Sequence, residues 1–199
     1  MCGRYTLFTE KEQRELYNII QEVEEKLNPL GMKLKKGEIH PTNLAPILVG
    51  QDKKVLPEGA IWGFPHFQEG GVIINARADT APTNKLFAQS FHTRCVVPCT
   101  GFYEWKRKTK YLFELENEVI YMAGVVNTYK DEKRYVILTT DANDSMKATH
   151  NRMPVILQKE EIEKWLWDYQ FAVSILNRVP VQLIKKAAEH EQLTFGDVI

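Results

Sequence analysis

The sequence has no excess charge of either sign and no apolar run of membrane-spanning length. Lys and Arg together number 26, as do Asp and Glu, so the formal net charge is zero near pH 7. Nucleic-acid binding would therefore need a local basic face rather than an overall field. The polar start Cys-Gly-Arg-Tyr-Thr is not a secretory signal peptide. We expect a cytoplasmic protein, or a nuclear one in a nucleated cell, with no membrane partner.

Cysteine is scarce. The chain has three, Cys2, Cys95 and Cys99, an odd number without the spacing of a redox pair or a zinc site. Cys95 and Cys99 flank Val-Val-Pro in a predicted strand, which favours a structural role for both. We expect no metal and no cofactor.

The size and composition are those of one ordinary globular unit. The chain has 199 residues, of which 44% are hydrophobic and 26% charged, and a single core can grow to this size. The sequence contains no internal repeat, low-complexity tract or linker. We therefore expect one domain over residues 1–199. We also expect a monomer.

The hydrophobic pattern predicts an α+β fold. A capping box at residues 9–12 opens a helix that runs to about residue 28. Many short strand-like runs follow, which favours a curved, mixed, largely antiparallel and barrel-like sheet flanked by helices. Strands are predicted at 47–49, near 55, and at 60–64, 72–77, 94–98, 111–116, 119–126, 134–139 and 155–157. Further helices are predicted at 85–91, 160–168 and 181–190, and hairpin turns at 50–52 and 116–118.

The second residue offers unusual chemistry. If Met1 is removed, Cys2 carries an α-amine and a thiol on adjacent carbons. That pair captures aldehydes, because the amine forms a Schiff base and the thiol then closes a five-membered thiazolidine. No internal cysteine can do this. The alternative is that Cys2 is simply a small buried hydrophobic residue.

Asn75 and Arg77 end an apolar run and are two residues apart, so they project to one face of a strand. They indicate either a site at the strand end or a strand terminus that reaches solvent, and the pattern leaves both open. Arg77 could hold a phosphate through its guanidinium fork. Asn75 offers both a donor and an acceptor.

Glu104 and His150 are candidates for proton transfer. Glu104 lies between Tyr103 and Trp105, so it is either a strand-edge group or a partly desolvated carboxylate suited to acid–base work. His150 follows a polar loop and precedes Asn151 and Arg152. It is either a surface residue or part of a corner that binds an anionic substrate.

Six motifs in order carry a resemblance over nearly the whole chain. The sequence resembles the SRAP family of SOS response-associated peptidases, which includes abasic-site processing proteins. The matching segments are 1–5 (MCGRY), 43–46 (NLAP), 62–63 (WG), 74–80 (INARADT), 101–105 (GFYEW) and 150–154 (HNRMP).

The resemblance implies a sensor and shield of abasic sites in single-stranded DNA, acting at stalled replication forks in DNA repair. Cys2, freed of Met1, would form a thiazolidine crosslink with the ring-opened sugar. Asn75 would position the Cys2 amine and the sugar, Glu104 would shuttle protons and assist crosslink reversal, and His150 would bind the sugar hydroxyl or the 3′ phosphate side. A lyase-like activity and self-cleavage of Met1 are also implied.

The resemblance further implies a DNA-binding set. Phosphate contacts would come from Arg4, Arg77 and Arg152, and from the Thr139 hydroxyl. Pro46 and Trp105 would line the DNA groove, and Lys85 stands where relatives can carry Arg. Some relatives place adjacent tryptophans after Gly63 as a wedge beside the lesion, whereas this chain has His66 and Phe67. Two other hypotheses remain: a peptidase using Cys2 and Glu104, and a non-covalent reader of modified or damaged DNA.

Overall fold

The computed structural model describes residues 2–8, 14–66 and 70–188. The predicted capping box, Phe67 and His190 lie outside these ranges. Within them, no helix is long and apolar enough to cross a membrane.

Fifteen strands are present in the described residues, and they dominate the fold. They are β1 Arg4–Leu7, β2 Gly37–Ile39, β3 Leu44–Gln51, β4 Lys54–Trp62, β5 Phe64–Pro65, β6 Val72–Ile73, β7 Asn75–Arg77, β8 Arg94–Cys99, β9 Gly101–Lys106, β10 Thr109–Glu114, β11 Ile120–Tyr129, β12 Glu132–Asp141, β13 Arg152–Pro154, β14 Ile156–Leu157 and β15 Ile184–Ala187. The helices are α1 Arg14–Leu27, α2 Asp144–Lys147, α3 Ile162–Trp167 and α4 Tyr169–Ser174, with 3₁₀ turns at Asn28–Leu30, Ser90–His92 and Lys159–Glu161.

Five strands close into a barrel. The pairing runs β12–β4–β3–β8–β11 and returns to β12, with β12–β4 parallel and the other pairs antiparallel. Three short strands extend this sheet, since β7 and β13 pair with β12 and β14 pairs with β11. The prediction of an α+β fold with a mixed, barrel-like sheet is confirmed.

A second sheet carries both ends of the described chain. Its order is β15–β10–β9–β1–β2, and every pair in it is antiparallel. One face is fully buried through Tyr5, Ile39, Phe102 and Phe113. Because these side chains join the same hydrophobic cluster as barrel residues, strand β1 is fixed against the barrel, and Cys2 is fixed with it.

Three buried aromatic rings connect the two sheets beside Cys2. The Tyr5 and Trp62 ring centroids are 5.1 Å apart, and Trp62 and Tyr135 are stacked at 6.4 Å. The hydroxyls of Tyr5 and Tyr135 share a 2.5 Å hydrogen bond. The Trp62 indole N–H donates to the carbonyl of Ile74, the residue just before β7. These rings therefore fix β1 relative to the start of β7.

The predicted helix at 181–190 is wrong, because residues Ile184–Ala187 form β15 along the open edge of β10. Pairing with that edge overrides local helical propensity. The predicted helix at 85–91 is also wrong. Successive turns occupy that stretch and end in the Ser90–His92 3₁₀ turn, where the Thr93 hydroxyl donates to the carbonyls of Ser90 and Val126.

Two further expectations need adjustment. The predicted strand at 72–77 is two strands separated at Ile74, because β6 pairs with β5 while β7 pairs with β12. The turn at 116–118 is present as a bridge between Leu115 and Glu118, but it leads from one sheet to the other instead of joining a hairpin. The hairpin turn at 50–52 is confirmed, with Asp52 and Lys53 at positive φ between β3 and β4.

Candidate functional site

Cys2 is buried two residues before β1. Its position is fixed by a hydrogen bond from Asn75, the first residue of β7. Its side chain has no exposed surface, and its Sγ lies 3.7 Å from the Arg4 carbonyl oxygen. The Asn75 side-chain Nδ2 donates a 2.9 Å hydrogen bond to the Cys2 carbonyl. Two of the residues singled out in the sequence, 73 positions apart, are thus in direct contact.

Asn75 is held in place by the parallel pairing of β7 with β12, where it stands opposite Ile137. Ala76 is buried against the core, while Asn75 and Arg77 project to the other face. The Asn75 Oδ1 atom is buried and accepts no hydrogen bond from residues 2–8, 14–66 or 70–188. This oxygen can accept from an N–H or O–H group that enters the site.

Glu104 lies on β9 with 4% of its surface exposed. It is close enough to Cys2 to act on the thiol electrostatically. Burial raises the pKa of the Cys2 thiol well above its ordinary value, and the negative charge of Glu104 raises it further. The thiol is therefore protonated at neutral pH and needs a base in order to react.

His150 is oriented by its own loop. It follows α2, and its Nδ1 accepts a 3.0 Å hydrogen bond from the Arg152 backbone N–H. The preceding residue, Thr149, accepts a 2.7 Å hydrogen bond from Lys185 on β15. The Lys185 ammonium also lies 3.8 Å from the ring centroid of Tyr111, which pairs with Glu104 across β9 and β10. Lys185 therefore joins the strand beside Glu104 to the loop of His150.

The three candidate phosphate-binding arginines each contact a carboxylate. Arg77 is exposed and makes two hydrogen bonds to Asp79, at 3.1 and 2.6 Å. Arg152 Nη1 bonds Asp141 at 2.7 Å, its Nη2 donates to the Thr139 carbonyl, and its buried Nε has no partner among the described residues. Arg4 Nη1 bonds Glu38 at 2.8 Å. These pairs hold all three guanidinium groups in defined positions.

The remaining candidates differ in accessibility. Trp105 is half-buried beneath the Arg4 guanidinium, at 5.1 Å from the ring centroid, and Lys85 is exposed. Pro46 is buried in β3 opposite Gly59. Thr139 is fully buried, and its hydroxyl donates to the Ala76 carbonyl. The structure therefore gives Pro46 and Thr139 little surface to offer a ligand.

His66 directly follows the short strand β5, which pairs with β6. Its backbone N–H donates to the Gly71 carbonyl at 3.2 Å, and its carbonyl accepts from the Gly70 N–H at 3.0 Å. These two hydrogen bonds join His66 to Gly70 and Gly71. His66 is half-buried.

Sequence reasoning missed Glu38 and Lys110. Glu38 Oε2 accepts from Lys110 Nζ at 2.5 Å, while its Oε1 accepts from Arg4. Burial alone would raise the pKa of Glu38, but the hydrogen bonds from Lys110 and Arg4 lower it below its ordinary value. The alternation of Glu38 and His40 about buried Ile39 is a strand signal, although it does not reveal the distant partners.

The cysteines beyond Cys2 are free thiols buried in the core. Burial raises the pKa of Cys95 and of Cys99, so both thiols are unreactive at neutral pH. Among the described residues, no group of three or more His, Cys, Asp or Glu side chains is placed to hold a metal ion.

Comparison with known proteins places this geometry in a family. In sequence, the chain is 34% identical over 190 residues to the abasic site processing protein YoqW of Bacillus subtilis, covering 83% of this chain and 80% of that one. It is 24% identical over 183 residues to the abasic site processing protein YedK of Escherichia coli, covering 83% and 79%.

Solved structures share the fold. A Bacteroides thetaiotaomicron protein superposes with a TM-score of 0.71 at 21% identity, covering 95% of this chain and 93% of that one. A Bordetella bronchiseptica protein superposes at 0.72 with 18% identity, covering 94% and 100%. The family model described as "SOS response associated peptidase (SRAP)" matches residues 1–195. The chain therefore belongs to the SRAP family.

Proposed function

We propose that this protein captures abasic sites in single-stranded DNA by forming a covalent thiazolidine through Cys2, after Met1 has been removed. The observation that carries the proposal is the 2.9 Å hydrogen bond from Asn75 to the Cys2 carbonyl, which holds the chain start beside buried Glu104. The names of relatives such as YoqW and YedK, both abasic site processing proteins, support the choice of substrate.

The reaction begins at the amine. The freed α-amine of Cys2, with a usual pKa of about 7.7–8.0, attacks the aldehyde carbon of the ring-opened deoxyribose. Loss of water from the carbinolamine then gives a protonated Schiff base. Asn75 Oδ1 accepts an N–H of the amine or a sugar hydroxyl. The Glu104 carboxylate takes a proton from the Cys2 ammonium as the amine becomes free to attack, and it gives this proton to the carbinolamine hydroxyl, which leaves as water.

The thiol acts second. Because burial and the Glu104 charge keep the Cys2 thiol protonated, sulfur becomes nucleophilic only as its proton passes to the Glu104 carboxylate. Sulfur then adds to the imine carbon and closes the ring. In total one C–N and one C–S bond form, and the aldehyde oxygen leaves as water. His150 binds the sugar hydroxyl or the 3′ phosphate side, and reversal uses the same proton path.

The DNA strand is held without reading its sequence. We assign phosphate contacts to the guanidinium groups of Arg4, Arg77 and Arg152 and to the exposed Lys85, and a groove contact to Trp105. For the buried Pro46 and Thr139 we propose support of these contacts rather than direct contact. The protein would act as a monomer where replication exposes single strands, in the cytoplasm of a bacterium or the nucleus of a eukaryote.

Peptide hydrolysis by Cys2 fits the site less well. Cysteine peptidases need a thiolate, which a neighbouring positive charge stabilises. Here burial and a neighbouring carboxylate have the opposite effect on the Cys2 pKa.

The test uses a single-stranded oligonucleotide containing one abasic site, followed by denaturing electrophoresis. Wild-type protein whose intact mass shows loss of Met1 should give a band that survives heat and detergent. Cys2→Ala should give none, while Cys95→Ala, which removes another buried thiol, should retain the band. Affinity for the oligonucleotide without any such band would favour the non-covalent reader, and release of peptides from an added protein would favour the peptidase.

A further inference from the structure

The outer face of the second sheet carries a cluster in which Arg4 and Trp105, already assigned to DNA contacts, meet charged residues to which the proposed function gives no role. In the antiparallel register, Arg4 stands opposite Tyr103, Thr6 opposite Glu38, and Lys110 opposite Trp105. Paired residues share a face, and so do residues two apart on one strand. The residues of this cluster, which we call the outer-face cluster, are Arg4, Glu38, His40, Tyr103, Trp105 and Lys110.

Glu38 lies at the centre of the outer-face cluster. Its Oε1 accepts from Arg4 at 2.8 Å and its Oε2 from Lys110 at 2.5 Å. The His40 Nε2 is 3.6 Å from Oε1. One carboxylate therefore faces two permanent cations and an imidazole. The net charge of the cluster is positive, which favours binding of an anion.

Aromatic rings hold the two cations in place. The Lys110 ammonium lies 3.9 Å from the Tyr103 ring centroid and 5.7 Å from that of Trp105. The Arg4 guanidinium lies over Trp105. Cations fixed over rings pay little side-chain entropy when they bind an anion. The Lys110 side chain is 22% exposed, so it is ordered but still reachable.

The two oxygens of Glu38 occupy the place where two phosphate oxygens would bind. Carboxylate and phosphate both accept charge-assisted hydrogen bonds from guanidinium and ammonium groups. Arg4 is two residues from Cys2, which is at most about 7 Å of chain. A strand whose abasic sugar reaches Cys2 therefore passes this cluster with a neighbouring phosphate.

We propose that Arg4 and Lys110 form a subsite for a DNA backbone phosphate, and that Glu38 occupies this subsite until the phosphate displaces it. The inference rests on the proposed function, since DNA is taken as the ligand. It adds Lys110 as a binding residue and Glu38 as the residue that sets affinity. DNA binding at this point is an exchange of one anion for another.

The test measures equilibrium binding of an intact single-stranded oligonucleotide, without an abasic site, across a range of salt concentrations. Glu38→Gln should bind about two- to fivefold tighter at low salt, the range for an exposed ion pair, with a steeper salt dependence. Lys110→Gln should bind more weakly, with the slope of log K against log salt reduced by about 0.7 for the lost phosphate contact. Lys110→Arg should restore that slope.

Glu58→Gln is the matched control. Glu58 also pairs with a lysine across two strands, Lys133, and its side chain is 21% exposed against 26% for Glu38, but it lies on the barrel. We expect its affinity and slope to equal those of wild type. Thermal melting of each variant checks the fold. If Lys110→Gln fails to fold, the binding of Glu38→Gln and Lys110→Arg tests the subsite.

Unchanged or weaker binding by Glu38→Gln, or an unchanged slope for Lys110→Gln, would overturn the subsite. Crosslinking to an abasic oligonucleotide separates this result from the proposed function. A Cys2-dependent crosslink with unaltered binding in both variants refutes the subsite alone. Salt-dependent binding that follows the expected pattern without any crosslink supports the subsite and refutes covalent capture.

Discussion

Replacing Glu104 by Gln separates two roles that the buried carboxylate could have. The change keeps the shape of the side chain and removes its charge and its ability to take a proton. Because the Glu104 charge raises the pKa of the Cys2 thiol, its loss lowers that pKa and makes the thiolate easier to form. A purely electrostatic Glu104 would therefore give a faster variant. A proton-transferring Glu104 gives a slower one.

We expect the slower outcome. General acid–base catalysis contributes about 10²–10⁴-fold, which corresponds to about 3–5 kcal/mol of activation free energy. With 4% of Glu104 exposed, bulk water reaches the site poorly and cannot fully replace the carboxylate. The loss should therefore lie within that range.

The assay is the single-turnover rate of crosslink formation between pH 6 and 9, from about two units below to about one unit above the amine pKa. Alkylation of Cys2 by iodoacetamide, read by mass spectrometry, reports the thiol separately. Glu104→Gln should alkylate at lower pH than wild type and still crosslink more slowly. Glu114 is a half-buried carboxylate on β10 that pairs with Lys186 on the neighbouring β15, and Glu114→Gln should behave as wild type in both. A crosslinking rate equal to or above that of wild type would refute proton transfer by Glu104.

Three further outcomes are expected. Asn75→Ala should slow crosslinking by about two- to tenfold, because a hydrogen bond worth about 0.5–1.5 kcal/mol is lost from Cys2, and retention of the wild-type single-turnover rate would contradict that role. Tyr135→Phe should lower the free energy of unfolding in urea by about 1–3 kcal/mol, since the buried Tyr5 hydroxyl loses its 2.5 Å partner; the double variant with Tyr5→Phe should recover part of the loss. Lys185→Met keeps the stem over Tyr111 but loses the bond to Thr149, so it should slow crosslinking without changing affinity for intact single-stranded DNA, and an equal loss of both would argue against a positioning role.

Local signals in the sequence predicted much of the fold. The periodic apolar residues of α1 and the short strands of the barrel were identified because helix and strand have different side-chain periods. The shared face of Asn75 and Arg77 was correctly predicted, since Ala76 between them is buried on the opposite face. The face to which a strand side chain projects depends on local alternation, so it can be predicted from a single sequence.

Pairing between distant segments could not be predicted in the same way. β15 is a strand because β10 offers it an edge about 70 residues earlier, a fact absent from its own pattern. Glu38 contacts partners 34 and 72 residues away. The sequence of the segment 36–40 does not predict these partners. The residues that sequence reasoning missed at the site are those whose role depends on such long-range pairing.

The zero net charge of the chain is consistent with a DNA ligand once the pairing of the arginines is considered. Arg4, Arg77 and Arg152 each contact a carboxylate, so their charges are balanced in the free protein. A DNA strand whose phosphates replace those carboxylates would exchange the ion pairs one at a time. The loss of any single phosphate contact would therefore cost little binding free energy. Under the proposed function, such binding would be weak and reversible at undamaged DNA, since each exchange would replace one ion pair by another. Retention at a lesion would then depend on the proposed covalent bond at Cys2, so selectivity would come from the aldehyde rather than from the phosphate contacts.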